Sequence, residues 1–260
     1  MSHNTTVSHE DNPNHIVIWL DKHIGEPGTH EHLKKTFGIQ TDPKSETRVA
    51  LVDRDYEDFR RAERSLSIHL EDPLLVHHEG SLPVHPESVY FLLSTFTNIE
   101  NCLNCFEHNR NKRIFFITSG SLGREVVPIV LERFKETFTD PVTKEPCMSI
   151  YVFSNNMADD IDWGLHYQDY IQMFDFDADL LSRLVRDIGD YYFTESKRLL
   201  DGSPSHNVAA YHRLSWAKTL YKRHCILDHF SMSKDLGEIN RLLEEVQEEL
   251  QSSSDDDESY

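Results

Sequence analysis

Along this chain, nearly continuous apolar runs alternate with amphipathic stretches. The clearest run is HIVIWLD at 15–21, and the same character recurs in RIFFIT at 113–118, in SIYVF at 149–153 and, more weakly, in YIQMF at 170–174. Short runs rich in β-branched and aromatic residues are typical of strands that are buried on both faces. Each run ends in small or acidic residues, where strands of an open α/β sheet lead into their loops.

Helical patterns lie between these runs. One apolar stripe with helical spacing consists of Leu92, Phe96, Ile99, Leu103 and Phe106. A second helix is expected after Gly123, because Pro128 is tolerated best in or just after a first turn. A third begins after Asp177 or Asp179. The alternation predicts a flavodoxin-like, three-layer open sheet, mostly parallel, with about five strands.

Shifts in composition divide the chain into segments. Residues 1–14 offer little to bury and predict a disordered arm, whereas residues 15–202 make up the predicted α/β domain. Beyond a Gly-Ser-Pro-Ser linker, periodic apolar positions over 206–250 predict a helical hairpin. Residues 251–260 have almost nothing to bury and predict a disordered acidic tail.

The segment 40–86 leaves alternatives open. Residues 48–53 and residues 73–78 both have the apolar character of a strand, and the charged residues between them fit an exposed helix or a loop. We expect a five-strand sheet with an elaborated second crossover in this region.

Charge and composition narrow the class of protein. With 26 Lys and Arg against 45 Asp and Glu, the formal net charge is −19, which opposes binding to nucleic acid or to an anionic membrane surface. No apolar run approaches the roughly 18 residues that span a bilayer, and the N-terminus lacks the layout of a signal peptide. The scattered cysteines predict no disulfide framework. A cytoplasmic protein is therefore expected.

The stretch SGSLGR at 119–124 is the most specific candidate site. A strand, a glycine-containing loop and a helix N-terminus together present free backbone N–H groups, which suit a phosphate. The stretch lacks both the P-loop and the GxGxxG pattern, and its glycines could instead permit a sharp turn with close packing. The predicted ligand-binding residues are Asp21, Thr118, Ser119, Gly120, Ser121, Gly123 and Arg124.

Two further patterns resemble metal sites. Asp21, Asp53 and Asp175 each follow a predicted strand, so they could converge on one sheet edge as Mg²⁺ ligands or simply cap loops. The motif Cys102-x-x-Cys105-x-x-His108 has metal-like spacing, but it lies on a predicted helix and has no second ligand pair. We predict no metal site and no cofactor.

No complete catalytic constellation is visible. Ser119 and Ser121 lack the GxSxG elbow, and Glu125 is in a first turn, where glutamate is expected in any case. We predict no catalytic residue, which weighs against an enzyme. In the tail, an acid-directed kinase could phosphorylate the serines that precede the acidic run, although the run also fits a plain solubilising tail. These are Ser252, Ser253 and Ser254.

The chain resembles a group of invertebrate, rotifer-type proteins. The similarity is carried by VIWLD at 17–21, FFITSGSLG at 115–123 with Pro128 after it, SIYVF at 149–153, and the helix containing Asp187-Ile188. The resemblance covers most of 15–200 and implies a receiver-like or TIR-like α/β module. In that group the module is sometimes fused to ADP-ribosyltransferase or tetratricopeptide regions, and it brings no established activity to this chain.

Two functions follow as hypotheses. The first is a non-catalytic intracellular signalling or interaction module with a protein partner. The alternative is a protein that binds a nucleotide or another small phosphate-containing ligand, or hydrolyses a nucleotide or NAD, through the loop after the 113–118 strand. A binder needs an open pocket at the carboxyl ends of the strands, whereas Trp19, Phe176 or Trp163 could fill that space in an interaction module.

Overall fold

Parallel pairing of the apolar runs produces one sheet. The computed structural model describes residues 12–45, 76–78, 92–202 and 206–255. Its strands are β1 (His15–Leu20), β2 (Val76–His78), β3 (Leu93–Phe96), β4 (Arg113–Ser119), β5 (Ile150–Phe153) and β6 (Ile171–Phe174). Its α-helices are α1 (Glu31–Thr41), α2 (Ile99–His108), α3 (Gly120–Phe134), α4 (Met157–Gly164), α5 (Asp177–Asp201), α6 (Asn207–Leu227) and α7 (Ser233–Asp255).

The strand order confirms the predicted open, parallel α/β fold. The order is β2-β3-β1-β4-β5-β6, and all neighbours are parallel. Apart from the short β2, this is the 2-1-3-4-5 order of flavodoxin-like folds. The described sheet has six strands with the three-residue β2 included, in keeping with the prediction of about five. The candidate strand at 48–53 lies outside the described residues, and of the candidate at 73–78 only Val76–His78 is described.

Side chains of β1 alternate between two apolar layers. Ile16, Ile18 and Leu20 belong to the cluster that α2 and α3 cover. Trp19 points the other way and packs on Phe37 of α1, with ring centroids 4.7 Å apart. Because both faces of the sheet are covered, every residue of β1 is buried, which explains the continuous apolar run.

An aromatic cluster fills the layer beneath α2 and α3. The ring of Phe106 lies 5.1 Å from Phe116, 5.3 Å from Phe134 and 6.1 Å from Phe138, measured between centroids. All of these rings are buried. Aromatic pairs at such distances stabilise a core beyond the area that they bury.

The helix predicted from Leu92 to Phe106 is wrong in its first half. Leu93–Phe96 forms β3 between β1 and β2, and the helix begins only at Ile99. Asn98 provides the physical reason, because its side chain accepts a hydrogen bond from the N–H of Asn101 at 2.9 Å and caps the helix there. The helical spacing of Leu92 and Phe96 was a coincidence within a buried strand.

The helix after β4 also begins earlier than predicted. It begins at Gly120, directly after the strand, and Pro128 therefore lies inside it rather than near the first turn. Proline has no N–H, so the carbonyl of Arg124 receives no intrahelical hydrogen bond from position 128. Packing of the stripe containing Val126, Val127 and Val130 in the core compensates for that loss.

The described residues group into two compact units, each of which is defined by its chain range. One, the α/β unit, comprises His15–Gln40 and Ser45–Leu181, and the other, the helical unit, contains Thr41–Lys44 and the chain from Ser182 onwards. The predicted α/β domain extends to 202, so the two divisions differ over most of α5.

Within the helical unit, side chains of α5 explain this grouping. Tyr192 meets Trp216 of α6 edge to face at 5.1 Å, and Ser182 Oγ lies 2.9 Å from Nδ1 of His224. Helices α6 and α7 pack together, as a hairpin would. Helix α7 continues to Asp255, within the stretch 251–260 predicted as a tail, and residues 256–260 lie outside the described residues.

The aromatic cluster leads to a stability prediction. Phe106→Ala should lower the free energy of unfolding by about 3–5 kcal/mol, because it removes a buried ring and leaves a cavity. Phe176→Ala is the matched control, since that side chain is 61% exposed and the change should stay within about 0.5 kcal/mol. Urea titration followed by circular dichroism measures both, and equal losses would contradict the assigned core.

Candidate functional site

A cavity of about 670 Å³ opens at the carboxyl edge of the sheet. It lies where β1, β4 and β5 end, and its wall includes Trp19 from the first of these strands, Ser119 from the second and Phe153 from the third. In the sheet, β3 lies on one side of β1 and β4 lies on the other, so the direction in which successive strands are added reverses at β1. This reversal is the topological switch point, the usual ligand-binding position in open α/β sheets.

The large aromatic residues near this edge leave the cavity open. Trp19 is 4% exposed and forms part of the wall together with Phe37. Phe176 is 61% exposed. Trp163 packs against the core cluster and donates its ring N–H to Asp160. The space that these residues could have filled is therefore available.

The cavity brings together most of the predicted binding residues. Those that line it are Asp21, Ser119, Gly120, Ser121 and Arg124. Thr118 is buried, and Gly123 packs behind the helix start, where a Cβ would lie 3.0 Å from Thr118 Cγ2 and from Trp163 Cη2. These two residues support the wall and do not line the cavity.

Asp21 has a structural role at the end of β1. Its Oδ1 accepts hydrogen bonds from the N–H groups of His23 at 2.8 Å and Ile24 at 2.9 Å, which is a local turn cap. Asp175 follows β6 and does not line the cavity, while Asp53 lies outside the described residues. Within the described ranges, no group of three or more His, Cys, Asp or Glu side chains is placed to hold a metal ion.

Helix α3 begins at the cavity without a side-chain cap. Ser119 has the extended N-cap conformation, with φ −75° and ψ 156°, but its hydroxyl makes no capping hydrogen bond. First-turn N–H groups have no acceptor within a helix, so those of α3 are donors for the cavity.

The glycines at this helix start serve close packing. Neither Gly120 nor Gly123 has a positive φ, so no strained turn requires them. A Cβ on Gly120 would lie only 1.8 Å from Oδ2 of Asp160. The predicted glycine loop is thus a direct junction between β4 and α3. Of the explanations given for these glycines, close packing is the one that agrees with this geometry.

Asp160 on α4 is the centre of the polar network, and it is not among the residues predicted from the sequence. Its Oδ2 accepts a hydrogen bond from Ser154 Oγ at 2.7 Å. Its Oδ1 accepts one from Trp163 Nε1 at 2.9 Å and lies 3.4 Å from Arg124 Nη2. The same Nη2 donates to the carbonyl of Asp159 at 2.7 Å, so the guanidinium is fixed beside α4.

The hydrogen bonds to Asp160 control its ionisation. Burial by itself would raise the pKa of this carboxyl, since a low dielectric disfavours charge. Hydrogen bonds from Ser154, Trp163 and Arg124, together with the charge of the guanidinium, outweigh burial and hold the pKa of Asp160 below its ordinary value. The side chain is therefore a carboxylate at neutral pH.

A local signal for α4 was present in the sequence. Asn156 precedes Met157, and the first turn contains Asp159 and Asp160, a combination typical of a helix N-terminus. That pattern could have located the helix. It could not have located the contact with Gly120, which depends on tertiary packing.

The remaining candidate residues lie outside the cavity. Cys102 is buried, burial raises the pKa of the Cys105 thiol to about 11, and Nδ1 of His108 is 2.7 Å from the carbonyl of Asn104, an arrangement unlike a metal site. Ser252 is exposed near the end of α7 and donates to the carbonyl of Glu249 at 3.0 Å. Phosphorylation of this serine and its two neighbours stays a prediction.

Comparisons with known proteins do not assign the chain. No protein-family model, curated protein or solved structure matches it. The resemblance to receiver-like or TIR-like modules accordingly stays a prediction. Among the helices of the described residues, none combines the length and apolar character needed to cross a membrane.

The contact between Gly120 and Asp160 predicts a double-mutant cycle. Although alanine is a better helix former than glycine, Gly120→Ala should lower the free energy of unfolding by about 1–3 kcal/mol, because its methyl group displaces the hydrogen-bonded carboxylate. In an Asp160→Ala background the same change should be neutral or stabilising. Chemical denaturation of the four proteins tests this, and equal effects in both backgrounds would refute the contact.

The pKa of Asp160 predicts an acid-dependent difference. A carboxyl whose folded pKa lies below its unfolded pKa stabilises the fold above the unfolded pKa, and this contribution is lost as pH falls toward the folded value. The stability difference between wild type and Asp160→Asn should therefore be largest at neutral pH and shrink below pH of about 4. Asp169→Asn, at an exposed turn, is the control. A difference that stays constant down to pH 2 would contradict the assignment.

Proposed function

We propose that the α/β unit binds a nucleotide in the cavity at the carboxyl ends of β1, β4 and β5. The observation that carries this proposal is the open cavity of about 670 Å³ at the switch point. Small-molecule sites in proteins have volumes of about 300–1,000 Å³. Open parallel sheets bind their ligands at this position because the crossovers on the two sides diverge there.

The chemistry of the wall fits the parts of a nucleotide. The apolar side, which includes Leu33 and Phe37, suits a base. The uncapped start of α3 and the guanidinium of Arg124, whose side chain is 58% exposed, suit a phosphate. Carboxylates such as Asp177 accept hydrogen bonds, and ribose hydroxyls are donors of the right kind.

A charge placed at the start of α3 tests the proposal. Wild type should unfold at a temperature at least about 2 °C higher in the presence of one or more of ATP, NAD and a cyclic nucleotide near 1 mM, because a ligand bound only to the native state stabilises it. Ser121→Asp should abolish most of that shift, since its carboxylate repels a phosphate. The exposed position and the helix dipole should keep the unliganded protein at least as stable as wild type.

The control for this experiment adds the same charge elsewhere. Asn104→Asp lies on the exposed side of α2, outside the cavity, and should keep the ligand-induced shift of wild type. If no ligand of the panel shifts wild type, or if Ser121→Asp keeps the full shift, the proposal is wrong.

A second candidate function has its own supporting observation. Met157, Ile161 and Leu165 are spaced by four along α4 and its continuation, and their side chains are 37%, 47% and 58% exposed. Exposed apolar residues in one stripe are typical of a protein-binding face. A non-catalytic signalling or interaction module is thus the alternative, and it becomes the better-supported one if the ligand panel gives no shift.

A further inference from the structure

The carboxylate of Asp160 lies directly beside the first residue of α3, next to the position where a bound anion would be expected. Its Oδ2 is so close to Gly120 that a Cβ there would lie 1.8 Å away. Hydrogen bonds of 2.7 Å from Ser154 and 2.9 Å from Trp163 fix it in this position. The helix N-terminus therefore already has a negative charge beside it that the chain itself supplies, although its first-turn N–H groups make no hydrogen bond to that carboxylate.

Negatively charged side chains outnumber positively charged Lys and Arg side chains in the wall of the cavity. Arg124 is the one Lys or Arg among the described residues that line it, and the guanidinium lies 3.4 Å from Asp160. The other carboxylates in the wall belong to Asp21, Asp159 and Asp177. A ligand phosphate at the start of α3 would meet a cation whose charge is already compensated.

Phosphate groups differ in the charge that they bring to such a site. A terminal phosphate carries about −1.5 to −2 charges at pH 7, with a second pKa of about 6, whereas a phosphodiester has no second acidic proton and carries −1. Like charges a few ångströms apart repel, and the repulsion is stronger in a partly enclosed cavity than in water. The extra charge of a terminal phosphate is therefore unfavourable beside Asp160.

We propose that Asp160 determines the ligand class of this cavity and restricts it to nucleotides whose phosphates are diesters, excluding those with a terminal phosphate. This inference rests on the proposed nucleotide-binding function. Arg124 still contributes, because a guanidinium has five N–H donors and the contacts with Asp159 and Asp160 use only Nη2. A singly charged phosphate can thus receive hydrogen bonds from Arg124 and from the first turn of α3.

Two ligands that differ by one methyl group test the inference. Adenosine 5′-monophosphate and its methyl ester share base, ribose and linkage, but only the ester is a diester. By titration calorimetry at pH 8, wild type should bind the ester at least about tenfold more tightly, equivalent to roughly 1.4 kcal/mol. Asp160→Asn should bind the monophosphate at least about tenfold more tightly than wild type does, and should lose the preference.

A pH series on wild type gives a readout that does not depend on any variant. Between pH 8 and pH 5.5 the monophosphate takes up its second proton, so its affinity should approach that of the ester. His23 and His30 also line the cavity, but they face both ligands alike. The ratio of the two affinities therefore isolates the charge of the phosphate.

The outcomes separate this inference from the function on which it rests. If neither ligand binds to wild type or to Asp160→Asn, nucleotide binding itself is wrong. If both bind to wild type with equal affinity, or if Asp160→Asn keeps the preference, nucleotide binding stands and the role of Asp160 is overturned. Asp169→Asn, outside the cavity, should keep the ratio of wild type. Should Asp160→Asn fail to fold, an affinity ratio of wild type that does not change between pH 8 and pH 5.5 would still overturn the inference.

Discussion

The pairing of β1 with β3 on one side and β4 on the other is the constraint on which the α/β unit depends. In this register Leu20 lies level with Phe96 and Thr118, so the three strands end at one edge. The N–H of Asp21 donates to the carbonyl of Phe96 at 3.0 Å, which continues the pairing one residue beyond β1. Because the chain leaves this edge in opposite directions, a crevice remains between the connections, and residues that follow β1 and β4 line it.

Asp160 shows how that edge combines packing with polar chemistry. Burying a carboxylate is unfavourable unless donors satisfy it, and here the donors come from the loop after β5, from α3 and from α4. The same carboxylate lies against the first residue of α3, a position that admits only glycine while the carboxylate stays in place. The carboxylate of Asp160 therefore both holds α4 beside α3 and contributes to the electrostatic potential of the cavity. A substitution that changes one of these properties also changes the other.

The sequence predicts the sheet better than it predicts the site, for a physical reason. Strands β1 and β4 are buried on both faces. Apart from His15 and Arg113 at their first positions, their residues are apolar or small, and each run is visible without knowledge of its neighbours. The prediction of a helix over β3 is wrong because Leu92 and Phe96 match a helix as well as a buried strand, and only the pairing of β3 with β1 and β2 distinguishes the two. The local sequence pattern is sufficient to predict a strand that is buried along its whole length. It is insufficient where a short apolar run fits both the helical and the strand period.

The site depends on contacts that no local pattern encodes. Ser119, Ser121 and Arg124 were predicted because they follow a recognisable strand, and they line the cavity. Asp160 was not predicted, since its importance arises from Arg124, which is 36 residues away in the chain, and from its contact with Gly120. The net charge of the chain is also of limited use for predicting the ligand of the cavity. The net charge of −19 repels a long polyanion, but at physiological salt its field is screened within about 8 Å. For a small ligand inside the cavity, the few carboxylates in the wall therefore matter more than the charge of the whole chain, and among these Asp160 is the one whose position is fixed at the start of α3.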